Sequence, residues 1–87
     1  MKVIVAKSFE RDYKKLQENI KKRVIEARGL FLSANNIYDV PHIKKMEGAD
    51  GYYRCRIGNY RIGVKLDSDT ICLLRVVDRK DIYKQFP

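Results

Sequence analysis

The stretch from Tyr52 to Leu66 constrains this chain more than any other. Apolar and polar residues alternate through it on both sides of Ile57-Gly58-Asn59-Tyr60. Gly and Asn tolerate positive φ, so a two-residue loop at this point closes a tight hairpin. That closure sets Ile57 opposite Tyr60, Arg56 opposite Arg61, Cys55 opposite Ile62 and Arg54 opposite Gly63, with Tyr53 facing Val64 and Tyr52 facing Lys65. Side chains alternate between the faces of a strand. One face is then Tyr53, Cys55, Ile57, Tyr60, Ile62, Val64 and Leu66, which is a core wall. The other is Tyr52, Arg54, Arg56, Arg61, Gly63 and Lys65.

The second face is not what stability alone selects. Arg56 and Arg61 stand directly opposite, and like charges across a pair are destabilising. No acidic residue occurs between Gly51 and Leu66. Gly63 clears space beside Arg54 where a side chain would block approach. A solvated charged face is the plainer reading of such a surface, but the lack of any counter-charge in the hairpin argues against it. Guanidinium forks bind phosphate oxygens bidentately, and a tyrosine can stack on a base, so the pattern suits phosphodiester recognition.

The following strand, Thr70 to Val77, extends the sheet. A three-residue loop at Asp67-Ser68-Asp69 pairs Leu66 with Thr70 and lays Arg75 beside Arg61. Cys72, Leu74 and Val76 then join the core. A two-residue loop would instead drive Arg75 into the apolar side, which costs more than a surface mismatch. The strand end, Arg79-Lys80-Asp81-Ile82-Tyr83-Lys84, brings further cations and a tyrosine to the same rim.

The first half of the chain has a different period. Phe9, Tyr13, Leu16, Ile20, Val24, Ala27 and Phe31 are spaced by three or four residues, one face of a helix. Polarity rises around Gln17-Glu18-Asn19, which divides the run into helices from about Phe9 to Leu16 and from about Ile20 to Leu32. Ser8 and Asn19 are the expected N-caps. Lys2 to Ala6, rich in β-branched residues, reads as a strand, and Ile43 to Met46 as a weaker one. The order β-α-α-β-β-β, with that possible fourth strand, predicts an α+β domain with both helices on one face of a mainly antiparallel sheet.

With 87 residues the chain makes one domain, residues 1–87, and its five Gly and two Pro argue against linkers or disorder. Apolar runs are too short for a membrane span or a signal peptide, which predicts a cytoplasmic protein without a membrane partner. Two separated cysteines and a single histidine make neither a disulfide framework nor a metal motif, so no metal and no cofactor are expected. Nineteen Lys and Arg against eleven Asp and Glu give a net charge of +8, which draws the chain to polyanions.

Three segments carry a family pattern. They are Lys44-Lys45-Met46-Glu47-Gly48, Tyr52-Tyr53-Arg54-Cys55-Arg56-Ile57-Gly58-Asn59-Tyr60-Arg61-Ile62, and Leu74-Arg75-Val76-Val77-Asp78-Arg79-Lys80-Asp81-Ile82-Tyr83. Together they resemble the RelE/ParE superfamily of toxins, most of all its RelE branch with archaeal-type members. The resemblance covers nearly the whole chain. It implies a small RelE-like fold and a toxin of a type II toxin–antitoxin pair. It also implies a ribosome-dependent endoribonuclease that cuts mRNA in the ribosomal A site, silenced by a cognate antitoxin. An amphipathic or acidic antitoxin segment could cover the basic face or pack by the helices. The toxin alone is expected to be a monomer.

By position, the resemblance makes Arg61 the residue that contacts the scissile phosphate. Arg79 and Tyr83 join it as catalytic candidates. Arg54, Arg56, Arg75, Lys80, Lys44 and Lys45 are candidates for RNA binding. The implied chemistry is attack of a ribose 2′-hydroxyl on the adjacent phosphate, which needs in-line alignment, charge neutralisation and proton transfer. Arginine stays protonated and cannot be the base. Tyr83 and Lys80 remain open for that role, and metal-independent cleavage is expected. One departure stands out: relatives often carry a histidine where this chain has Asp78, which could hold Arg79 or repel RNA. The only histidine, His42, is read as a loop residue rather than a catalyst. The alternatives are a ParE-like toxin that binds DNA gyrase, and a degenerate toxin that binds only its antitoxin.

Overall fold

The computed structural model describes residues 1–86. Its elements run β1 (Lys2–Val5), α1 (Lys7–Lys14), α2 (Glu18–Ser33), a short 3-10 helix (Ile37–Asp39), β2 (Ile43–Lys45), β3 (Tyr52–Ile57), β4 (Tyr60–Asp67), β5 (Thr70–Asp78) and α3 (Ile82–Gln85). The five strands form one sheet in the order β1-β5-β4-β3-β2. All neighbours are antiparallel except β1, which runs parallel to β5. The weak strand at Ile43 is therefore real and closes one edge of the sheet. No helix among the described residues is long and apolar enough to cross a membrane.

The β3–β4 hairpin has the register its Gly-Asn turn dictates, from Ile57↔Tyr60 through Arg56↔Arg61 to Tyr52↔Lys65. Gly58 takes φ +62°, the left-handed region that only a residue like glycine enters without strain. Phe9 of α1 and Val24, Ala27 and Phe31 of α2 pack on the face built by Tyr53, Cys55, Ile57, Ile62 and Val64. Burial pushes the Cys55 thiol up to about 11, with Arg56 and Arg61 pulling weakly the other way.

The β4–β5 register differs from the expected one. The turn is the two-residue one, with Asp67↔Thr70 and Leu66↔Ile71, and Ser68 takes φ +57°. A bulge then shifts the ladder between Val64↔Leu73 and Gly63↔Arg75, leaving Leu74 as the extra residue. The bulge resolves the conflict that argued against the shorter turn. Ile71 and Leu73 below it and Val76 above it are all buried in the core, whereas Cys72 and Leu74 are only partly buried. Arg75 consequently lies opposite Gly63, and Val77, not Arg75, is the partner of Arg61.

Both expected helix caps are replaced. The N-cap of α1 is Ala6 and that of α2 is Gln17, neither with a side-chain bond. Ser8 instead sits inside α1 and donates to the Leu74 carbonyl at 2.6 Å. Asn19 lies within the first turn of α2. The reason is the edge of β5: β1 stops at Val5, so α1 takes over the strand's backbone groups beyond it. Asp12 accepts from the Val76 amide at 3.0 Å and clasps Arg75 bidentately, Nε at 2.7 Å and Nη2 at 3.1 Å. A helix laid over an open sheet edge is a standard defence against edge-to-edge pairing.

Candidate nucleic-acid interface

The sheet face away from α1 and α2 is divided in two. Over its middle a second small core forms from Met46, Ile82 and Phe86, with Tyr52, Leu74 and Val77 against it. Phe86 and Tyr52 meet edge to face at 5.5 Å between centroids. Gly63 is the seat of this core, so the space beside Arg54 is filled by the Phe86 ring and is not an approach for a ligand. Beyond it Lys65 lies with its ammonium 5.3 Å over the Tyr52 ring, while Arg54, Arg56, Arg61 and Arg79 gather at the end nearest the Gly58 turn.

There a cleft of about 610 Å³ opens. It is lined by His42, Ile43, Lys44, Arg54, Arg56, Arg61, Arg79, Lys80 and Tyr83. Its described lining contains cations from β2, β3, β4 and the segment after β5, and no carboxylate. Three of its guanidiniums are held in different ways. Arg61 Nη1 donates to the carbonyls of Tyr60 at 2.9 Å and Gly58 at 3.1 Å, so the hairpin turn itself fixes the guanidinium. Arg54 lies 5.3 Å over the Tyr83 ring and directs Nη1 at the Met46 sulfur, 3.5 Å away. A guanidinium over an aromatic face is attracted by the ring quadrupole. Arg56 Nη2 meets His42 Nδ1 at 2.9 Å. The Arg79 amide donates to the Asn59 carbonyl at 2.9 Å, docking the end of β5 on the hairpin turn.

Seven residues expected in the site thus meet in one cleft: Lys44, Arg54, Arg56, Arg61, Arg79, Lys80 and Tyr83. Two do not. Arg75 is drawn to the β5 edge by Asp12, whose hydrogen bond raises its pKa further still. Lys45 pairs with Tyr53, one step along β2 from Lys44, and so turns the opposite way; its ammonium lies 3.8 Å from Asp50. Asp78 is not among the residues that line the cleft. Its Oδ1 accepts from the Lys80 amide at 2.9 Å and ties the turn that leads into α3.

His42 is the residue the sequence reading set aside. The ladder pairs Ile43 with Cys55, so the next residue outward, His42, falls opposite Arg56. The register of β2 was the signal that would have found it, and three residues of strand were too few to fix that register from sequence.

The structure is thus an α+β domain with a cationic cleft and an exposed tyrosine at one end of its sheet. The sequence model of the family described as "ParE toxin of type II toxin-antitoxin system, parDE" matches residues 3–83. The chain belongs to this toxin family, and its relatives mark it as a RelE-type member. It is 43% identical to Toxin RelE3 of Methanocaldococcus jannaschii over 88 residues, covering 100% of both chains. A chain of the RelB–RelE antitoxin–toxin complex from Methanococcus jannaschii superposes with a TM-score of 0.81 at 40% identity, covering 97% of this chain and 99% of that one. A chain of the RelBE2 toxin–antitoxin complex from Mycobacterium tuberculosis gives 0.70 at 29% identity, covering 90% and 96%.

Proposed function

We propose that this toxin is an endoribonuclease that cuts mRNA in the ribosomal A site and is silenced by a cognate antitoxin. One observation carries the reading: six cationic side chains and one exposed tyrosine line a single cleft without a carboxylate among the described residues. A cleft of this kind concentrates phosphate and stabilises the charge that grows on a phosphorane.

The reaction is attack of a ribose 2′-hydroxyl on the neighbouring phosphorus, with departure of the 5′-oxygen. Arg61 is the residue best prepared to meet the scissile phosphate, because two turn carbonyls hold its Nη1 and leave its other N–H groups available. Preorganised donors act without reorganisation when charge develops. Arg79 and Lys80 line the same cleft and neutralise the same group. Arg54, Arg56 and Lys44 grip the flanking backbone. Tyr83 is 65% exposed with Arg54 over its ring, and offers that ring to a base. Proton transfer falls to Tyr83 or Lys80. We infer a reaction without a metal ion, since among the described residues the cleft lining includes no carboxylate to hold one.

The antitoxin reading is supported by the two solved complexes, in which related chains are crystallised with antitoxins. The toxin acts as a monomer in the cytoplasm and makes larger assemblies through its antitoxin.

Primer extension on a defined mRNA, translated in vitro with purified toxin and compared with a ribosome-free control, tests this. Cuts within A-site codons that need ribosomes are the expected result. No cuts from a folded protein would overturn the reading. The family's ParE description makes gyrase the next target to assay in that event.

A further inference from the structure

Arg56 and Arg61 face each other across the β3–β4 ladder, so two guanidiniums emerge side by side into the cleft. They are kept apart by different acceptors. Arg61 is drawn to the turn carbonyls of Gly58 and Tyr60. Arg56 is drawn the other way, across β3 to His42 of the chain leading into β2, 2.9 Å from Nη2 to Nδ1. The backbone reinforces the link, with the Arg56 amide donating to the His42 carbonyl at 3.2 Å. His42 reaches this position with φ +61°, a conformation in which His, Asn and Asp are over-represented among residues with a Cβ.

The chemistry of the pair fixes the imidazole. A guanidinium has donors only and does not lose its proton. Nδ1 is therefore the acceptor and carries a lone pair, and Nε2 carries the ring's single proton. An imidazole in this state cannot take the 2′-hydroxyl proton at Nδ1 without releasing Arg56.

We propose that His42 is a positioning residue of the cleft: its neutral imidazole, through Nδ1, holds the Arg56 guanidinium in place beside Arg61 to grip RNA phosphate. The proposal rests on the nuclease reading for its kinetic consequence, but the bond itself can be tested without it. Misplacing a substrate-orienting group by about 1 Å can cost on the order of 10²-fold in rate.

Two measurements test it. The first is a long-range 1H–15N spectrum of the full chain near neutral pH, in which the one histidine needs no assignment. The expected state is Nε2–H with a hydrogen-bonded, unprotonated Nδ1, whose resonance moves in Arg56→Ala. An Nδ1–H tautomer, or an Nδ1 resonance unaffected by Arg56→Ala, overturns the proposal. The second is single-turnover A-site cleavage by three variants. His42→Gly keeps the positive φ but removes the acceptor, and about a tenfold loss or more is expected. His42→Ala is expected to fall as far. His42→Asn places Oδ1 where Nδ1 stood and tolerates the same φ, so it recovers to within about threefold of the parent. A Gly variant as active as the Asn variant would assign the effect to backbone and sink the idea. If the parent protein does not cleave at all, the nuclease reading fails, and the spectrum alone decides whether His42 holds Arg56.

Discussion

Gly63 gives its side-chain space to the ring of Phe86. A Cβ built at Gly63 would stand 2.7 Å from three ring carbons, closer than such atoms approach in real structures. The contact matters because Phe86 ends the segment that carries Tyr83. Gly63→Ala should push the ring out, at a cost of about 1–3 kcal/mol, as overpacking generally does. Urea unfolding measures that cost. Cleavage should fall further than stability explains, since Tyr83 loses its anchor. A Gly63→Ala protein with unchanged stability would show that the ring is not seated there.

Arg61→Ala should leave a folded protein and lower A-site cleavage by about 10²-fold or more, the range for removing one preorganised donor from developing charge. Its two bonds are to turn carbonyls that solvent can satisfy, so the stability change should be about 1 kcal/mol or less. Arg61→Lys keeps charge but not the fork and should recover only part of the loss. Single-turnover rates and urea midpoints on the same preparations separate the two effects.

The hairpin and its basic face were legible because a two-residue Gly-Asn turn permits one register, and alternation then assigns every side chain. The β4–β5 pairing was not legible. The apolar pattern on β5 is out of phase with any unbroken ladder, and only a bulge at Leu74 reconciles the short turn with buried Leu73 and Val76. Nothing local announces a bulge; the demand comes from α1, which needs Leu74 and Val76 backbone groups at the open edge. Arg75 moved out of the site for the same reason. Gly63 was expected to leave open space beside Arg54, but that space is taken by the ring of Phe86, which no local pattern around Gly63 announces.

Asp12 should therefore matter for stability and not for RNA. It is the acceptor for both Arg75 and the Val76 amide, with its side chain largely out of solvent. Asp12→Ala removes the bidentate ion pair to Arg75 and the acceptor of the Val76 amide and should cost about 2–3 kcal/mol, less than for a fully buried pair because Arg75 keeps some access to water. Asp12→Asn retains one acceptor for Val76 and should cost less. Equal urea midpoints for the parent and Asp12→Ala would refute the edge-sealing role.

Cys55 should give stability an alkaline limb. Its thiol ionises at about 11 in the folded chain against 9.0 as the reference, because burial disfavours the thiolate. Between those values the unfolded chain gives up the proton and the folded one keeps it. Fewer protons on the unfolded state mean that stability falls as pH rises, by up to about 3 kcal/mol across the interval and not below it. Cys55→Ala should be less stable at neutral pH but should flatten this limb. Parallel slopes for the two proteins between pH about 9 and 11 would show that the thiolate is not excluded.

Lys44 and Lys45 are neighbours with opposite placements, which makes them a sharp test of the cleft. Lys44 pairs with Arg54 and lines the cleft; Lys45 pairs with Tyr53 and lies near Asp50. A lysine that neutralises one phosphate of single-stranded RNA contributes about 0.7 to the slope of log affinity against log salt. Lys44→Ala should weaken binding of a short single-stranded RNA and reduce that slope by about this amount. Lys45→Ala should change neither, apart from the small long-range effect of one surface charge, which salt screens over a Debye length of about 10 Å at 0.1 M. Fluorescence anisotropy across a salt series reads both quantities. Equal slopes lost by the two variants would mean that RNA wraps the β2 edge rather than entering the cleft, and the assignment of its lining to RNA would have to be withdrawn.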